Sequence, residues 1–148
     1  MPTGNKLIKP VEILLVEDSL EDAELTTELL NDSDVPHNIH LVRNGIAALE
    51  YLYQEGQYQH HSLPDLIILD LNLPRKNGHE VLAEIKSNPQ LRKIPTIILS
   101  TSTADQDIEK ALDRHANCYV VKSANLEVFM DVIQAIEQFW LKTNHFLT

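Results

Sequence analysis

Five polar residues follow the apolar runs of this sequence, each at the point where a run ends. Glu17 and Asp18 follow the first long run, and Asp70 follows "LIIL". Ser100 and Lys122 follow two later runs in the same way. A single polar residue after a strand is ordinary. Three carboxylates that meet at one place repel one another unless a cation neutralises them, so this set predicts a charged functional site.

The residue types in this set suit a phosphoryl group held beside a metal ion. Mg²⁺ takes oxygen ligands, usually one or two carboxylates together with waters and phosphate oxygens. A hydroxyl and a lysine beside such an ion can bind a phosphoryl group, and Asp70 would then be the nucleophile that forms an aspartyl phosphate. In the loop "DLNLPRKNG", Asn72 offers a backbone carbonyl to the metal, Pro74 stiffens the chain and Gly78 permits a tight turn into a helix.

Strands and helices that would position these residues alternate along the chain. Apolar runs end at Val16, Val42, Leu69, Leu99 and Val121, and a segment with helical periodicity follows each of them. Five such units predict an α/β fold with a parallel sheet. The second run, "HNIHLV", alternates polar and apolar residues as an edge strand does. We therefore expect a flavodoxin-like (βα)5 fold, with strand order 2-1-3-4-5 and helices on both faces, which gathers the strand ends at one edge.

The helical segments carry recognisable ends and apolar faces. Ser19 is the expected N-cap of the first helix. The second helix is expected to place Tyr53 on its apolar face and to stop at Gly56. The fourth helix is expected to pair Ile108 with Leu112 one turn apart.

Length, charge and cysteine content narrow the function classes. The 148 residues suffice for one domain with a core, expected at 10–141 between tails at 1–9 and 142–148. Twelve basic against 22 acidic residues give a net charge of −10, which argues against nucleic acid and anionic membrane as partners. The one cysteine, Cys118, excludes an intramolecular disulfide, and the first residues lack the apolar stretch of a signal peptide. We therefore expect a cytoplasmic protein.

Four segments resemble the receiver domains of bacterial two-component response regulators. They are "LLVEDS", "PDLIILDLNLPRKNG", "IPTIILSTS" and "CYVVKS", in the order and at the spacing of that family, and the resemblance covers about residues 10–141. It implies a phosphorylation-controlled switch rather than an enzyme, with a sensor histidine kinase as partner that phosphorylates Asp70. Because no output domain is evident in the sequence, we expect a protein interface to pass the signal on.

The same resemblance implies a metal site for Mg²⁺ or Mn²⁺. Asp18 would bind the ion directly, and Glu17 would act nearby, often through water. Asp70 and the backbone carbonyl of Asn72 would complete the protein ligands.

The resemblance also implies roles for the residues after the last two strands. Lys122 would pair with the phosphoryl oxygens, and Ser100 would hydrogen-bond to them. Tyr119 matches the aromatic switch position, whose ring turns inward when the hydroxyl residue moves toward the phosphate. Two residues depart from the broad family pattern, since Ser123 follows the lysine where a proline, often in a cis peptide, is usual, and His115 stands where a glycine often precedes strand 5.

Part of the chain resembles a narrower group, the small single-domain regulators that partner bacterial phytochromes. The matching segments are "LNLPRKNGHEVLAEIKSNPQLRKIP", "NCYVVKSANL" and "FWL". The fifth helical segment carries a second apolar stripe beyond the one that a core needs. This stripe predicts a homodimer contact on the face formed by helix 4, strand 5 and helix 5; its members are Val128, Val132, Ala135 and Phe139, with Leu141 and Phe146 beyond them.

Two other functions compete with the receiver interpretation. A small phosphatase of the haloacid dehalogenase type also uses an aspartate at a strand end with Mg²⁺, but it needs a second acid two residues later, where this chain has Asn72. A receiver-like binding module that is never phosphorylated would not need the intact set of acids, hydroxyl and lysine. The adjacent His60 and His61 lack the spacing of metal ligands and are expected in a solvated loop.

Overall fold

Five strands and five helices alternate in the computed structural model, which describes residues 10–33, 35–101, 103–122, 126–136 and 138. Short 3-10 helices at Gly56–Tyr58 and Leu91–Lys93 precede the third and fourth strands. The elements in chain order are β1 Val11–Val16, α1 Leu20–Asn31, β2 His37–Val42, α2 Gly45–Leu52, β3 Leu66–Leu69, α3 Gly78–Ser87, β4 Thr96–Ser100, α4 Asp105–Asp113, β5 Cys118–Val121 and α5 Leu126–Ile136.

The five strands form one parallel sheet in the order β2-β1-β3-β4-β5, which confirms the predicted topology and the edge position of β2. Val16 lies opposite both Val42 and Leu69, so β1, β2 and β3 end at the same level. The fourth strand runs further and includes Ser100, which lies opposite Val121. Residues that follow these strands therefore meet at one edge of the sheet.

Side chains of alternating strand residues pack into two cores, one on each face of the sheet. Leu14 and Ile67 pack with residues of α2 and α3 on one face. Ile13 and Ile68 pack with residues of α1 on the other face, where α5 also contacts α1. Burial of one such leucine or isoleucine stabilises the fold by about 1.5 to 3 kcal/mol, so the central strands are firmly held. The prediction of helices on both faces is confirmed.

Side-chain caps fix the starts of the helices next to the site. The hydroxyl of Ser19 accepts a hydrogen bond from the amide of Asp22 at 3.2 Å, so the predicted N-cap is confirmed. Helix α3 begins with a capping box that the sequence did not single out. In it the Asn77 side chain accepts from the Glu80 amide at 3.0 Å, and the Glu80 carboxylate accepts from the Asn77 amide at 3.4 Å.

Helix α2 ends a turn earlier than the sequence predicts, so the prediction of an end at Gly56 is wrong. The last helical residue is Leu52, and Gln54 takes a left-handed conformation with φ of 56°. Tyr53 therefore leaves the apolar face and is 41% exposed. Its hydroxyl instead donates to Glu84 of α3 at 3.1 Å, which links the two helices.

Helix α4 buries a different residue from the pair that its sequence suggests. Ala111 is fully buried, Ile108 is half-buried and Leu112 is 49% exposed. Of the two residues that the sequence pairs one turn apart, only Ile108 is partly buried, and Leu112 lies largely outside the core. The small alanine side chain lies on the side that faces the sheet, which leaves the larger leucine outside.

Some expectations fall on residues that the structure does not describe. These are the tails at 1–9 and 142–148 and the start of the fifth helix near Asn125. Within the described residues, no helix combines the length and the apolar character that crossing a membrane would require.

Candidate functional site

The sheet places the residues that follow its strands through one further backbone hydrogen bond each. The Asp70 amide donates to a carbonyl of β1 at 3.0 Å, and the Glu17 amide donates to a carbonyl of β2 at 3.0 Å. The Lys122 amide donates to the carbonyl of Ser100 at 2.6 Å. These bonds continue the strand ladder past its last residues, so the side chains are held at the carboxyl edge as predicted.

The Lys122 ammonium lies at the centre of the site. It donates to a carboxylate oxygen of Glu17, to Asp70 Oδ2 at 3.3 Å and to Asp22 Oδ2 at 3.1 Å. Lys122, Glu17 and Asp70 are all buried. The structure thus brings three predicted site residues into direct contact, across more than a hundred positions of sequence for Lys122 and Glu17.

Asp22 is a site residue that the sequence reasoning missed. An acid in the first turn of a helix is fully explained by the helix dipole, so its type gave no reason to look further. The signal that could have identified it is position, because the first turn of α1 stands at the same edge of the sheet as the strand ends.

Burial and charge act against each other on the two innermost groups. Burial raises the pKa of the Glu17 carboxyl to about 7, and the hydrogen bond from Lys122 offsets only part of this rise. Burial alone would lower the pKa of the Lys122 ammonium, but the hydrogen bond to Glu17 and the charge of Asp70 outweigh it and raise that pKa. The centre is therefore short of positive charge, with one ammonium among three carboxyl groups.

Asp18 lies at the outer side of the site, and its side chain is 54% exposed. The neighbouring Arg43, directly after β2, donates to the Asp18 backbone carbonyl from two nitrogens, at 2.6 and 3.1 Å. Its guanidinium also stands 3.9 Å from the Asp18 carboxylate. Arg43 was not predicted, although it follows a strand end in the same way as the residues that were.

The loop after Asp70 is packed tightly against the end of β3. The amide of Asn72 donates to Asp70 Oδ1 at 3.1 Å, so this carboxylate is held from both sides. A Cβ atom on Gly78 would lie 2.4 Å from the Asp70 carbonyl oxygen, which confirms the predicted need for glycine there. Gly45 of α2 is closer still to its neighbour, since a Cβ there would lie 1.9 Å from the carbonyl oxygen of Lys76.

The oxygen donors of the site fit a hard divalent cation. Within the described part of the chain, no three Asp, Glu, His or Cys side chains are grouped so that they alone could hold a metal. The predicted site needs fewer, because it combines the carboxylates of Asp18 and Asp70 with the backbone carbonyl of Asn72. That number of carboxylates is usual for Mg²⁺, which keeps several of its waters.

Ser100 and Tyr119 flank the site on β4 and β5. Ser100 is fully buried at the end of its strand. Tyr119 is half-buried opposite Ile98 and packs against the core on the α2 and α3 face. The peptide bond between Lys122 and Ser123, which is often cis in the family when proline follows the lysine, lies outside the described residues.

His61 and His79 make side-chain contacts with other residues. His61 is half-buried and contacts the rings of Tyr51 and Tyr58, with centroid distances of 5.3 and 5.7 Å, so the prediction of a merely solvated loop holds for His60 alone. His79 of α3 contacts Asp107 of α4 at 3.0 Å.

Known proteins match both the sequence and this fold. A family model for the response regulator receiver domain matches residues 13–134. Response regulator Rcp1 of Synechocystis sp. (strain PCC 6803) is 48% identical over 134 residues, which cover 90% of this chain and 91% of Rcp1.

Solved structures agree with these matches. The crystal structure of the phosphorylated cyanobacterial phytochrome response regulator RcpA aligns with a TM-score of 0.88 at 52% identity, over 91% of this chain and 96% of RcpA. The Mn²⁺-bound form of Rcp1 aligns with a TM-score of 0.88 at 48% identity, over 90% and 96% of the two chains. The chain therefore belongs to the response regulator receiver domain family, as the four sequence segments implied.

Proposed function

We propose that this response regulator accepts a phosphoryl group on Asp70 from a sensor histidine kinase. The observation that carries the proposal is the Asp70 carboxylate at the end of the central strand β3, held by the Asn72 amide on one oxygen and by the Lys122 ammonium on the other. An anchored carboxylate at a sheet edge is a nucleophile in a fixed position.

The transfer exchanges one bond to phosphorus for another. A carboxylate oxygen of Asp70 attacks the phosphorus, and the bond to the kinase histidine nitrogen breaks with its electron pair staying on that nitrogen. The Lys122 ammonium, 3.3 Å from Asp70 Oδ2, then has a phosphoryl oxygen within reach. Ser100 supplies a hydroxyl donor to another phosphoryl oxygen.

A divalent ion, Mg²⁺ or Mn²⁺, belongs to the proposed site. Asp18, Asp70 and the Asn72 carbonyl would hold it, with Glu17 acting through water. The Mn²⁺-bound form of the similar regulator Rcp1 supports the presence of a divalent ion. When bound, the ion neutralises charge on the phosphoryl oxygens. The assignment suits Asp18 in particular, because its side chain is open to solvent and can bind an ion without a rearrangement of the fold.

Ser100 and Tyr119 are proposed to pass the change to the surface. When the Ser100 hydroxyl moves toward the phosphoryl group, it leaves space beside β4 that the half-buried Tyr119 ring can fill. The face formed by α4, β5 and α5 has two arrangements, and this movement shifts the population from one to the other. A partner that prefers one of the two arrangements then binds more tightly.

Intact mass spectrometry tests the proposal directly. The wild type, incubated with acetyl phosphate and Mg²⁺, is expected to gain one phosphoryl group, and Asp70→Asn to gain none. The conservative variant keeps the size of the side chain and removes only the nucleophile. A wild type without the added mass would overturn the proposal, and so would a variant that still gains it.

A phytochrome-type sensor kinase is the partner we propose. RcpA is a cyanobacterial phytochrome response regulator, and it shares 52% identity with this chain. The proposed setting is the cytoplasm, where kinases use ATP, and the proposed domain limits stay 10–141. Nucleic acid and membrane are not proposed as partners, because a net charge of −10 repels both.

The protein is proposed to act as a switch and not as an enzyme. Asn72 supports this, because a phosphatase of the haloacid dehalogenase type uses an acid at that position to protonate the leaving group. Hydrolysis of p-nitrophenyl phosphate over many turnovers per protein molecule would contradict the proposal.

Homodimerisation through the face formed by α4, β5 and α5 is also proposed. Leu112 of α4 is 49% exposed and Val128 of α5 is 46% exposed, and large apolar groups are favoured in such contacts. Sedimentation with and without beryllofluoride is expected to show a dimer that Val128→Asp weakens. Leu20→Asp on α1, which alters another exposed large apolar residue, is the matched control. A monomer at high concentration in both states would overturn the dimer. Ala135 of the predicted stripe is exposed as well, whereas the side chains of Val132, Phe139, Leu141 and Phe146 lie outside what the structure describes.

A further inference from the structure

The three hydrogens of the Lys122 ammonium face three carboxylates. Glu17, Asp22 and Asp70 each accept from the Nζ atom, and the Lys122 side chain is only 6% exposed. An ammonium group has three donors and no acceptor, so these contacts use its whole capacity. A phosphoryl oxygen on Asp70 can gain this donor only if one of the three contacts is given up.

The three carboxylates differ in how easily they release the ammonium. Glu17 is 4% exposed at its side chain and is also tied to the Ser19 amide at 3.1 Å. Asp70 is the group that carries the phosphoryl oxygens. Asp22 is 41% exposed, so water can replace the ammonium on its carboxylate at little cost.

The ammonium lies between Asp22 and Asp70 and contacts both carboxylates. The distance from Nζ to Asp22 Oδ2 is 3.1 Å, against 3.3 Å to Asp70 Oδ2. We infer that Asp22 is a positioning residue, which holds the Lys122 ammonium toward α1 and competes with the phosphoryl group for it. The inference rests on the proposed function of Asp70 and adds a residue that sets how strongly the site holds its phosphoryl group.

The variant Asp22→Asn tests this competition. It removes the charge that attracts the ammonium, keeps the size of the side chain and leaves intact the bond from the Asp22 amide to the Ser19 hydroxyl. The probe is beryllofluoride, a noncovalent phosphoryl mimic, titrated at saturating Mg²⁺. We expect the variant to bind it about two- to fivefold more tightly than the wild type, the range typical of partly exposed ion pairs.

Two comparisons separate positioning from a general loss of negative charge. Glu21→Gln removes an acid from the same helix turn, at an exposed residue, and is expected to leave the affinity for beryllofluoride unchanged. In a double-mutant cycle with Lys122→Met, the effect of Asp22→Asn is expected to disappear, because no ammonium is left to redirect. The Mg²⁺ affinity of each variant, measured without beryllofluoride, shows whether the substitution changes metal binding by itself.

The outcomes decide the inference and the proposed function separately. Tighter binding in Asp22→Asn that vanishes in the Lys122→Met background supports the inference. Unchanged or weaker binding overturns it, as does an effect that persists without Lys122 or that Glu21→Gln reproduces. If the wild type binds no beryllofluoride with Mg²⁺ present, the proposed function fails and this inference fails with it.

Discussion

Glu17 carries its negative charge at a cost when no metal ion is bound, although the Lys122 ammonium offsets part of that cost. Its carboxyl is buried, and burial raises its pKa to about 7 from an ordinary value of 4.5. Between these two values the folded protein binds more protons than the unfolded chain. The stability contributed by this group is therefore present at low pH and is lost as the pH rises through 7.

The variant Glu17→Gln is expected to flatten this pH dependence. In EDTA, the wild type should lose about 1 to 3 kcal/mol of unfolding free energy between pH 5 and pH 8 because of this group. The variant keeps the shape of the side chain and has no proton to exchange. Urea denaturation across that range measures how the unfolding free energy changes with pH. Glu21→Gln, at an exposed residue, is the control and is expected to show the wild-type change. A variant with the wild-type slope would contradict the assignment to Glu17.

Single residues also show where reading the sequence alone reaches its limit. Asp70, Glu17 and Lys122 were identified because each directly follows a strand, and the ends of parallel strands must meet. Asp22 and Arg43 joined the site only in the structure. Their types have sufficient local explanations, a helix dipole and a solvated turn, so nothing in the sequence distinguished them from ordinary surface charges.

At the scale of elements, helix α2 and the loop after β3 are in direct contact. Gly45 begins α2, and the carbonyl of Lys76 occupies the space that a side chain would need. This loop also carries Asn72, whose carbonyl belongs to the proposed metal site. The start of one helix therefore sets the position of a loop that reaches the functional site.

Gly45→Ala is expected to destabilise the fold by about 3 kcal/mol, because a Cβ 1.9 Å from the Lys76 oxygen forces the backbone to move. Gly56→Ala is the matched control. Gly56 has φ of +56° and open space around it, so only backbone strain of about 1 kcal/mol is expected. Urea denaturation gives both values, and acetyl phosphate labelling should slow in the first variant alone. Equal losses in the two variants would contradict the close contact.

The end of α4 explains why a histidine can replace the glycine usual before strand 5. His115 has φ of 68°, its amide donates to the Leu112 carbonyl at 2.9 Å, and the Ala116 amide donates to the Ala111 carbonyl at 3.1 Å. These two bonds form a Schellman motif, which places a left-handed residue directly after the helix cap. Histidine tolerates this conformation better than most residues, although glycine does so without strain.

His115→Gly is therefore expected to stabilise the protein by up to about 1 kcal/mol, since relief of strain exceeds the added freedom of the unfolded chain. His115→Val should destabilise it by about 1 kcal/mol or more, because a β-branched side chain is least compatible with positive φ. Thermal and urea denaturation measure both. A clear loss of stability in the glycine variant would instead assign a stabilising contact to the histidine ring.

At the scale of the whole molecule, a bound cation should stabilise the folded state. The net charge is −10, and the described acids of the site lie together only when the chain is folded. A ligand that binds the folded state alone raises stability by about 1.4 kcal/mol at ten times its dissociation constant. For a chain of this size, 1 kcal/mol corresponds to about 2 to 4 °C in Tm.

Mg²⁺ at such a concentration is thus expected to raise Tm by about 3 to 6 °C over EDTA at matched ionic strength. Asp18→Asn should remove most of this shift, because Asp18 is the exposed member of the proposed ligands and its loss leaves the buried centre intact. Differential scanning calorimetry compares the two proteins, with NaCl at equal ionic strength as the control for screening. An identical shift in the variant would place the ion elsewhere.

The sequence alone determined the strand order, the two-sided core and the residues at the strand ends. Those features follow from local patterns and from the few ways in which parallel strands can be connected. Only the tertiary structure decided which side chains meet from different elements. Tyr53 lies beyond the end of its helix, Leu112 is largely exposed, and Asp22 contacts Lys122 across a hundred positions of sequence. These outcomes depend on how each helix is rotated and where it ends against the sheet, which the packing of the whole core sets and no local pattern encodes.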